Sequence, residues 1–311
     1  MISRSTVLGA LVVAELVIVG IGAKAIAGGS SSGFGPPPPG AHGFGLHDLA
    51  SSATTPLDRT FVAGPAPRIV VDAHDVDVVV DGTGGPAVQV TETIRKAGYV
   101  TGDIPTISAQ QTLEGVRVSA TGTTDVIAIG RLTHEVRITA PSGARVEITS
   151  AGHVDAGGLR TKLIAHLAEG AFVIHDHRGD VDVSTGSGSI RMVDVQGSDI
   201  AASTRDGRVY LTRIGADRIH ASSASGRIVG ADVRAVDGVL TTRDGRIILS
   251  FADNSDATVD AHTGDGKIRV TGFDVTQGDG GHSMVRLGSG RGRFEVSTDN
   301  GPITITHGAN V

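Results

Sequence analysis

The stretch Asp206-Gly207-Arg208-Val209 has close copies elsewhere in the chain. The other copies are Ser187-Gly188-Ser189-Ile190, Ser225-Gly226-Arg227-Ile228, Asp244-Gly245-Arg246-Ile247 and Asp265-Gly266-Lys267-Ile268. Their glycines are 19, 19, 19 and 21 residues apart, and weaker copies occur at Gly152, Gly170, Gly290 and Gly301. A fixed period of roughly 20 residues predicts a repeat protein in which each unit stacks on the next.

Two hydrophobic columns emerge when the copies are aligned on their glycines. The residue two positions after the glycine is Val154, Phe172, Ile190, Val209, Ile228, Ile247, Ile268 or Ile303. Two positions further on, the residue is Ile174, Met192, Leu211, Leu249, Val270 or Ile305. This alternation has period two and predicts a β-strand after each glycine, with its apolar side chains on one face. Apolar residues seven and five positions before the glycine predict a second strand in each unit.

A third column, three residues before the glycine, carries small hydroxyl side chains. Its members are Thr149, Thr185, Thr204, Ser223, Thr242, Thr263 and Thr298. If the units stack about 4.8 Å apart, these hydroxyls are expected to hydrogen-bond to one another from coil to coil. The columns together predict an all-β fold, a single-stranded β-solenoid with coils of about 19 residues. The alternative is an antiparallel meander, because Asp-Gly between alternating strands is also a hairpin signal.

The N-terminal region predicts a membrane anchor. Residues 6–27 are mostly apolar and would span about 33 Å as a helix. Glu15 costs about 3 kcal/mol at the bilayer centre, and the surrounding Leu, Ile and Val residues offset that cost. Arg4 predicts a cytoplasmic N-terminus, which makes the chain a single-pass cell-membrane protein with extracytoplasmic repeats. Alternatively, residues 1–27 are a signal peptide cleaved near Ala25 or Ala27, and the protein is secreted.

The rest of the chain divides by composition. Residues 28–59 are rich in Gly, Ser and Pro, with four consecutive prolines at 36–39, and predict a linker. Residues 60–311 form the predicted β-strand-repeat domain. Within it, residues 60–140 are a degenerate part that caps one end, and residues 141–311 contain the regular coils.

Residues 60–305 resemble a known family. The resemblance rests on Phe61, on Arg68-Ile69-Val70-Val71, and on the sequence from Glu135 through Pro141-Ser142-Gly143 into the Thr/Ser-x-x-Gly units. The chain is similar in these features to the bacterial putative-adhesin β-strand-repeat family of unknown function. The resemblance implies a right-handed solenoid, often behind one membrane span and in some members linked to envelope-stress systems. It implies no catalytic residues, because none are established for the family.

Composition and motifs exclude several kinds of chemistry. The chain has no Cys and a net charge of −6, so it has no thiolate metal site and is unlike a nucleic-acid-binding protein. His175 and His177 would lie on one face of a strand about 7 Å apart, but no third ligand follows, so they do not predict a zinc site. Arg178-Gly179-Asp180 matches the tripeptide that integrins bind, yet it lies where the repeat requires a turn, and we interpret it as a turn. No sequence motif for catalysis or for a cofactor is present.

One charged pattern exceeds what the repeat requires. Arg208, Arg227, Arg246 and Lys267 directly follow their glycines, whereas Asp206, Ser225, Asp244 and Asp265 directly precede them. Stacking would place the cations in a ladder with a spacing of about 4.8 Å. The ladder has two interpretations: a solvated edge of salt bridges with the flanking acids, or a binding site for an anionic envelope polymer.

The sequence favours a non-enzymatic cell-envelope protein whose exported solenoid binds or scaffolds surface components, as an adhesin does. One alternative is the ectodomain of an envelope-stress sensor, which would need a membrane partner protein. Another is a polysaccharide-acting β-helix enzyme, which would need a cleft with converging carboxylates. Uniform coils of 18 to 21 residues argue against such a cleft.

Overall fold

The computed structural model describes residues 52–54, 57–122, 125–150 and 152–308. These residues form strands of one continuous sheet. The strands are β1 (Ser52–Thr54), β2 (Asp58–Val62), β3 (Arg68–Ala73), β4 (Asp77–Gly84), β5 (Ala87–Asp103), β6 (Thr106–Gln111), β7 (Gly115–Thr121), β8 (Asp125–Pro141), β9 (Arg145–Ser150), β10 (Val154–Gly157), β11 (Leu163–Glu169), β12 (Phe172–Arg178), β13 (Val181–Ser187), β14 (Ile190–Asp206), β15 (Val209–Ser223), β16 (Ile228–Asp244), β17 (Ile247–Phe251), β18 (Ala257–Asp265), β19 (Ile268–Thr271), β20 (Asp274–Asp279), β21 (His282–Arg286), β22 (Gly292–Asn300) and β23 (Ile303–His307). Within these ranges no helix has the length and apolar character of a membrane span. The predicted anchor, residues 6–27, lies outside the described residues.

The central coils stack in parallel. β14 pairs with β15, and β15 with β16, each time with an offset of one repeat, so Ile190 lies beside Val209 and Val209 beside Ile228. This pairing is that of a β-solenoid, and the antiparallel meander is wrong for these coils. The first predicted column is confirmed as one continuous register: Val154, Phe172, Ile190, Val209, Ile228, Ile247, Ile303 and Ile268.

The two strand segments of each coil share one apolar core. Residues of the column after the glycine, such as Ile228, and residues before it, such as Leu240, are buried and belong to the same cluster. Near the C-terminal end, the rings of Phe251 and Phe294 pack edge to face with centroids 4.8 Å apart. Because each coil contributes only a thin apolar layer, its core is closed only by the coils on either side.

The hydroxyl column binds glycine carbonyls rather than other hydroxyls. Thr204 Oγ1 donates to the carbonyl of Gly188 (3.2 Å), and Thr242 Oγ1 donates to that of Gly226 (3.0 Å). Equivalent bonds are made by Thr185, Ser223, Thr263 and Thr298. The predicted column is therefore confirmed in position, but the expected hydroxyl–hydroxyl bonding is wrong. The carbonyl of the neighbouring glycine is the closer acceptor.

Thr149 does not belong to this column. It is exposed and pairs with His166, whereas the next residue, Ser150, is buried and lies beside Leu167. Leu167 in turn lies beside Thr185. The correction arises because Gly152 lies two residues after the strand position that aligns with the column, whereas the later glycines lie three residues after it.

The repeating glycines are required by close packing between coils. A Cβ atom on Gly207 would overlap the carbonyl oxygen of Gly188, and one on Gly226 would overlap that of Gly207. The same holds for Gly245 against Gly226. Any side chain at these positions would separate neighbouring coils and lengthen the parallel hydrogen bonds.

The coils are not stacked in chain order at either end. β22 and β23 lie between the coil of β16 and β17 and the coil of β18 and β19. At the other end, β3 and β4 lie between β7 and β8 on one side and β9 and β10 on the other. At the C-terminal end the chain moves outward by two coil positions and then fills the gap. At the N-terminal end it forms the second coil first, then the outermost coil, and then crosses to the third position.

Antiparallel strands cover the outermost coil at each end. β21 covers β18 and β20 pairs with β21, whereas β6 covers β7 and β5 covers β8. β2 and β1 in turn pair with β5, so strands begin inside residues 28–59, the predicted linker. Within residues 60–140, β3 and β4 form a parallel coil, whereas β5 and β6 are antiparallel covering strands, and β1 and β2 lie beside β5.

Short polar segments carry the chain across these gaps. At the C-terminal end, Asp256 accepts hydrogen bonds from Ser289 Oγ (2.6 Å), from the Gly290 amide (2.6 Å) and from Arg291 Nε (2.7 Å). The bonds from Ser289 and Arg291 lower the pKa of Asp256. At the other end, Gly143 passes so close to Pro65 that a Cβ atom would lie 2.5 Å from its carbonyl oxygen.

The close packing of the glycines can be tested by one substitution with a matched control. Gly226→Ala should lower the free energy of unfolding by about 3 kcal/mol, because the added methyl group overlaps backbone of the next coil. Gly215→Ala should change it by less than about 1 kcal/mol, since the nearest atom to its Cβ is 3.6 Å away. Urea unfolding of both variants measures the difference. If both variants changed the free energy of unfolding by less than about 1 kcal/mol, the close packing at Gly226 would not be required for stability.

Candidate functional site

The structure places the predicted cationic ladder at the glycine corner of the coils, and it divides the ladder. Arg208, Arg227 and Arg246 are exposed and lie on consecutive coils, as backbone bonds from Val209 to Arg227 and from Ile228 to Arg246 show (3.0 Å each). Lys267 is exposed but lies two coils from Arg246. Pro302 occupies the position between them, because the last coil of the chain is inserted there.

The flanking acids form no ion pair with these cations among the described residues. In the described part of the chain, none of the four ladder side chains forms an ion pair. Asp244 instead accepts a hydrogen bond from Asn300 Nδ2 (2.7 Å). The salt-bridged edge is therefore not what the structure shows. Like charges stacked on neighbouring strands repel and reduce stability, so folding alone does not account for the row.

Two further arginines widen this surface. Arg205 and Arg243 lie two residues before their glycines, on alternate coils, and both are exposed. They line a shallow cleft of about 510 Å³ together with hydroxyl side chains such as Ser222 and with the carboxylate of Asp299. We call Arg205, Arg208, Arg227, Arg243 and Arg246 the glycine-corner surface. Sequence reasoning missed Arg205 and Arg243, although each follows its Thr directly in the repeat.

A second corner of the solenoid contains a column of left-handed residues. Asp176, Asp194, Arg213 and Asp232 have φ angles of 50°, 57°, 53° and 56° and lie six residues after their glycines. Asp tolerates this conformation better than most residues, because its side chain bonds to nearby backbone. The bend shifts the alternation of the strand, so the residue that follows it is buried: His177, Val195, Ile214 or Val233.

The bend separates the two histidines that the strand pattern had placed on one face. His175 is exposed, and its ring lies near Asp155 and Asp176, whereas His177 is fully buried. The prediction of a shared face is wrong, because Asp176 is not in a β conformation. The two imidazoles cannot bind one ion. Nor does the described part of the chain contain a group of three side chains suited to holding a metal.

A continuous groove runs along this second corner. Its parts enclose about 620, 260 and 710 Å³ and share lining residues, among them Asp194, Gln196 and Arg234. The expectation that uniform coils leave no cleft is therefore wrong. The groove comes from the bend and from small residues such as Gly158 and Gly215, rather than from inserted loops.

One carboxylate of the groove, Asp194, is unsuited to act as the general acid of a glycosidase. Arg213 donates two hydrogen bonds to Asp194 (2.5 and 2.6 Å), which lower the pKa of that carboxyl group and raise the pKa of Arg213. A general acid needs the opposite shift. Asp194 is thus held as a carboxylate in an ion pair.

The Arg178-Gly179-Asp180 tripeptide is part of a turn. Asp180 Oδ1 accepts hydrogen bonds from the amides of Ser198 (3.2 Å) and Asp199 (3.1 Å) on the next coil. The carboxylate that an integrin would bind therefore joins two coils.

Comparisons with known proteins give one family and two distant structures. Residues 67–306 match the family described as Toastrack DUF4097. A putative cell adhesion protein from Clostridium sporogenes is 11% identical over 82% of this chain and 100% of its own, with a TM-score of 0.32. A putative adhesin from Bacteroides fragilis is 13% identical over 83% of this chain and 98% of its own, with a TM-score of 0.40. Comparison with curated proteins gave no match.

His177 makes stability depend on pH. Burial lowers its pKa from 6.5 to about 4, although backbone groups of Asp180, Gly179 and Thr161 oppose the shift, and neither ring nitrogen has a hydrogen-bond partner within the described residues. Since the folded state favours the neutral ring, the unfolded chain takes up a proton first. Stability is therefore fully present above about pH 6.5 and is lost as the pH falls towards 4.

His177→Val, which copies Val195 and Val233 of other coils, should remove this pH-dependent part. We expect the variant to gain up to roughly 3 kcal/mol over the wild type between pH 6.5 and pH 4. Chemical unfolding at several pH values measures the gain. His220→Val replaces an exposed histidine and should show no such dependence. A gain at His177 that is the same at every pH would contradict the assignment.

Proposed function

The chain belongs to the Toastrack DUF4097 family, and from this premise we propose that it is a non-enzymatic cell-envelope protein whose solenoid binds an extended anionic polymer. The family has no established activity, so the ligand is inferred from the chemistry of the surface. The proposal includes export of the repeats, either behind a membrane span at residues 6–27 or as a secreted protein.

The observation that carries the proposal is the unpaired row of Arg208, Arg227 and Arg246. Guanidinium groups bind carboxylates and phosphates through two parallel hydrogen bonds, which makes arginine better suited than lysine to planar anions. Coils about 4.8 Å apart present these groups at a regular spacing. A polymer with repeating anionic groups can contact several coils at once, whereas a small anion can contact only one or two.

Multivalency gives such a surface useful affinity. A single exposed ion pair contributes about 0 to 1 kcal/mol, but linked contacts raise the effective concentration of each subsequent one. The chain as a whole carries a charge of −6, so its other surfaces should repel the same polymer. Attraction is therefore directed to the glycine-corner surface, and salt should weaken it strongly.

A triple substitution tests the proposal. Arg208→Gln, Arg227→Gln and Arg246→Gln together should weaken binding of purified anionic wall polymer about tenfold at low salt, since three contacts of about 0.5 kcal/mol each are lost. The salt dependence of retention on immobilised polymer measures the effect, and the melting temperature should stay the same or rise slightly.

The matched control has the same change of charge at another corner. Arg160, Arg178 and Arg234 are exposed, line the groove of the second corner, and can be replaced by Gln in the same way. This control should retain most of the binding. Equal losses of binding in both triple variants would show that binding depends on the net charge of the protein and not on the glycine-corner surface. A wild-type protein that shows no salt-dependent retention would refute the proposal.

A further inference from the structure

The distal halves of β5 and β8 form a two-stranded ribbon outside the stacked coils. We call residues 97–103 and 125–131 the distal ribbon; they pair from Ala97 with Arg131 to Asp103 with Asp125. Among the described residues, the ribbon pairs with no other strand. β1 ends its pairing with β5 at Lys96, and β4 pairs with β8 only from Glu135 onwards. Seven residues per strand make the ribbon about 24 Å long.

One face of the distal ribbon is apolar and exposed. Tyr99 lies directly beside Ile129, and Ile127 lies two residues further along on the same face. These side chains are 63%, 57% and 66% exposed. Single exposed apolar residues are ordinary, but adjacent ones on one face form a candidate interaction surface. The opposite face is covered in part, since Val100, Val126 and Ala128 are half-buried.

Cations lie at the base of the distal ribbon. Arg95 and Arg131 are exposed, and the Gly98–Gly130 pair separates them from Tyr99 and Ile129. The ribbon therefore runs from arginines, through an aromatic ring, to aliphatic side chains. This order matches a membrane interface, where arginine contacts anionic headgroups, tyrosine lies at headgroup level and isoleucine enters the acyl boundary.

β1 runs away from the distal ribbon along β5. β1 is antiparallel to β5 with Ser52 beside Lys96, so the backbone enters Ser52 from the side on which β5 continues into the ribbon. Residues 28–51 separate this point from the predicted span. A Gly/Ser-rich linker with that number of residues covers roughly 27 Å on average, about the length of the ribbon.

We propose that the Tyr99 face of the distal ribbon rests on the surface of the bilayer that holds the N-terminal anchor. The proposal depends on the membrane anchoring included in the proposed function. Three side chains would bind lipid weakly alone, but the tether keeps them at high effective concentration. A second copy of the chain fits less well, because so small a patch falls short of the roughly 800 Å² per partner that stable interfaces bury.

The absence of cysteine from the sequence allows a direct test on the full-length chain. Ile127→Cys is labelled with an environment-sensitive fluorophore, and the protein is reconstituted into vesicles of neutral and anionic phospholipid that carry a lipid-attached quencher. The control is Val236→Cys, which is also exposed (52%) but lies in the central coils. We expect the label at residue 127 to be quenched severalfold more than the label at residue 236. Replacing Tyr99 and Ile129 by Ser in the Ile127→Cys chain should remove the difference.

The possible outcomes distinguish failure of the ribbon proposal from failure of the membrane anchoring. Equal quenching at both positions in protein that floats with the vesicles would overturn the ribbon proposal alone. Protein that does not float with the vesicles would overturn the anchor and the ribbon together. Excimer emission from pyrene at residue 127 would show that a second copy of the chain covers the Tyr99 face. A label at residue 127 that is already shielded in detergent, before any lipid is added, would show that another part of the same chain covers it. Both results would overturn the proposal.

Discussion

The fold depends on the contact between a Thr or Ser hydroxyl and the carbonyl of a glycine one coil away. The glycine lets two backbones approach closely, and the hydroxyl three residues before the next glycine satisfies the carbonyl that this approach buries. A buried carbonyl without a partner would cost about 1 to 3 kcal/mol. Each Thr-x-x-Gly unit is thus half of an interaction that its neighbour completes, which explains why the motif recurs with the period of the coil.

The same dependence on neighbours creates a problem at the ends. A terminal parallel coil would expose both an apolar layer and a row of unpaired backbone groups, which invites association with other chains. Here β5 and β6 cover one end, and β20 and β21 cover the other. At the C-terminal end the chain skips one coil position and returns to it, and at the N-terminal end it crosses a coil that it has already formed. As a result, the last coil and the first regular coil lie inside the stack.

Much of the register could be predicted from sequence, but the order of the end coils could not. Ile268 and Ile303 satisfy the same column equally well, so periodicity alone cannot show which of their coils is nearer the centre of the stack. The antiparallel hairpin of β20 and β21 covers β18, and this makes the coil of Ile268 the outer one. That exchange places Pro302 inside the predicted ladder. The orientation of His177 was missed because alternation was assumed through Asp176. The recurrence of Asp six residues after the glycine was a usable signal for the bend, and hence for the groove.

The arrangement keeps the packing contacts and the exposed arginines on different parts of each coil. Inward positions and the glycine contact are fixed by packing, whereas the residue after the glycine faces solvent and is free to vary. In a stack whose interactions are mainly between nearest neighbours, a change on the surface of one coil has little effect on distant coils. An uninterrupted row of like charges across Arg208, Arg227 and Arg246 can therefore be tolerated despite its repulsion. The central coils thus present a regular row of cations, and the exposed apolar face of the ribbon lies apart from it at one end of the stack.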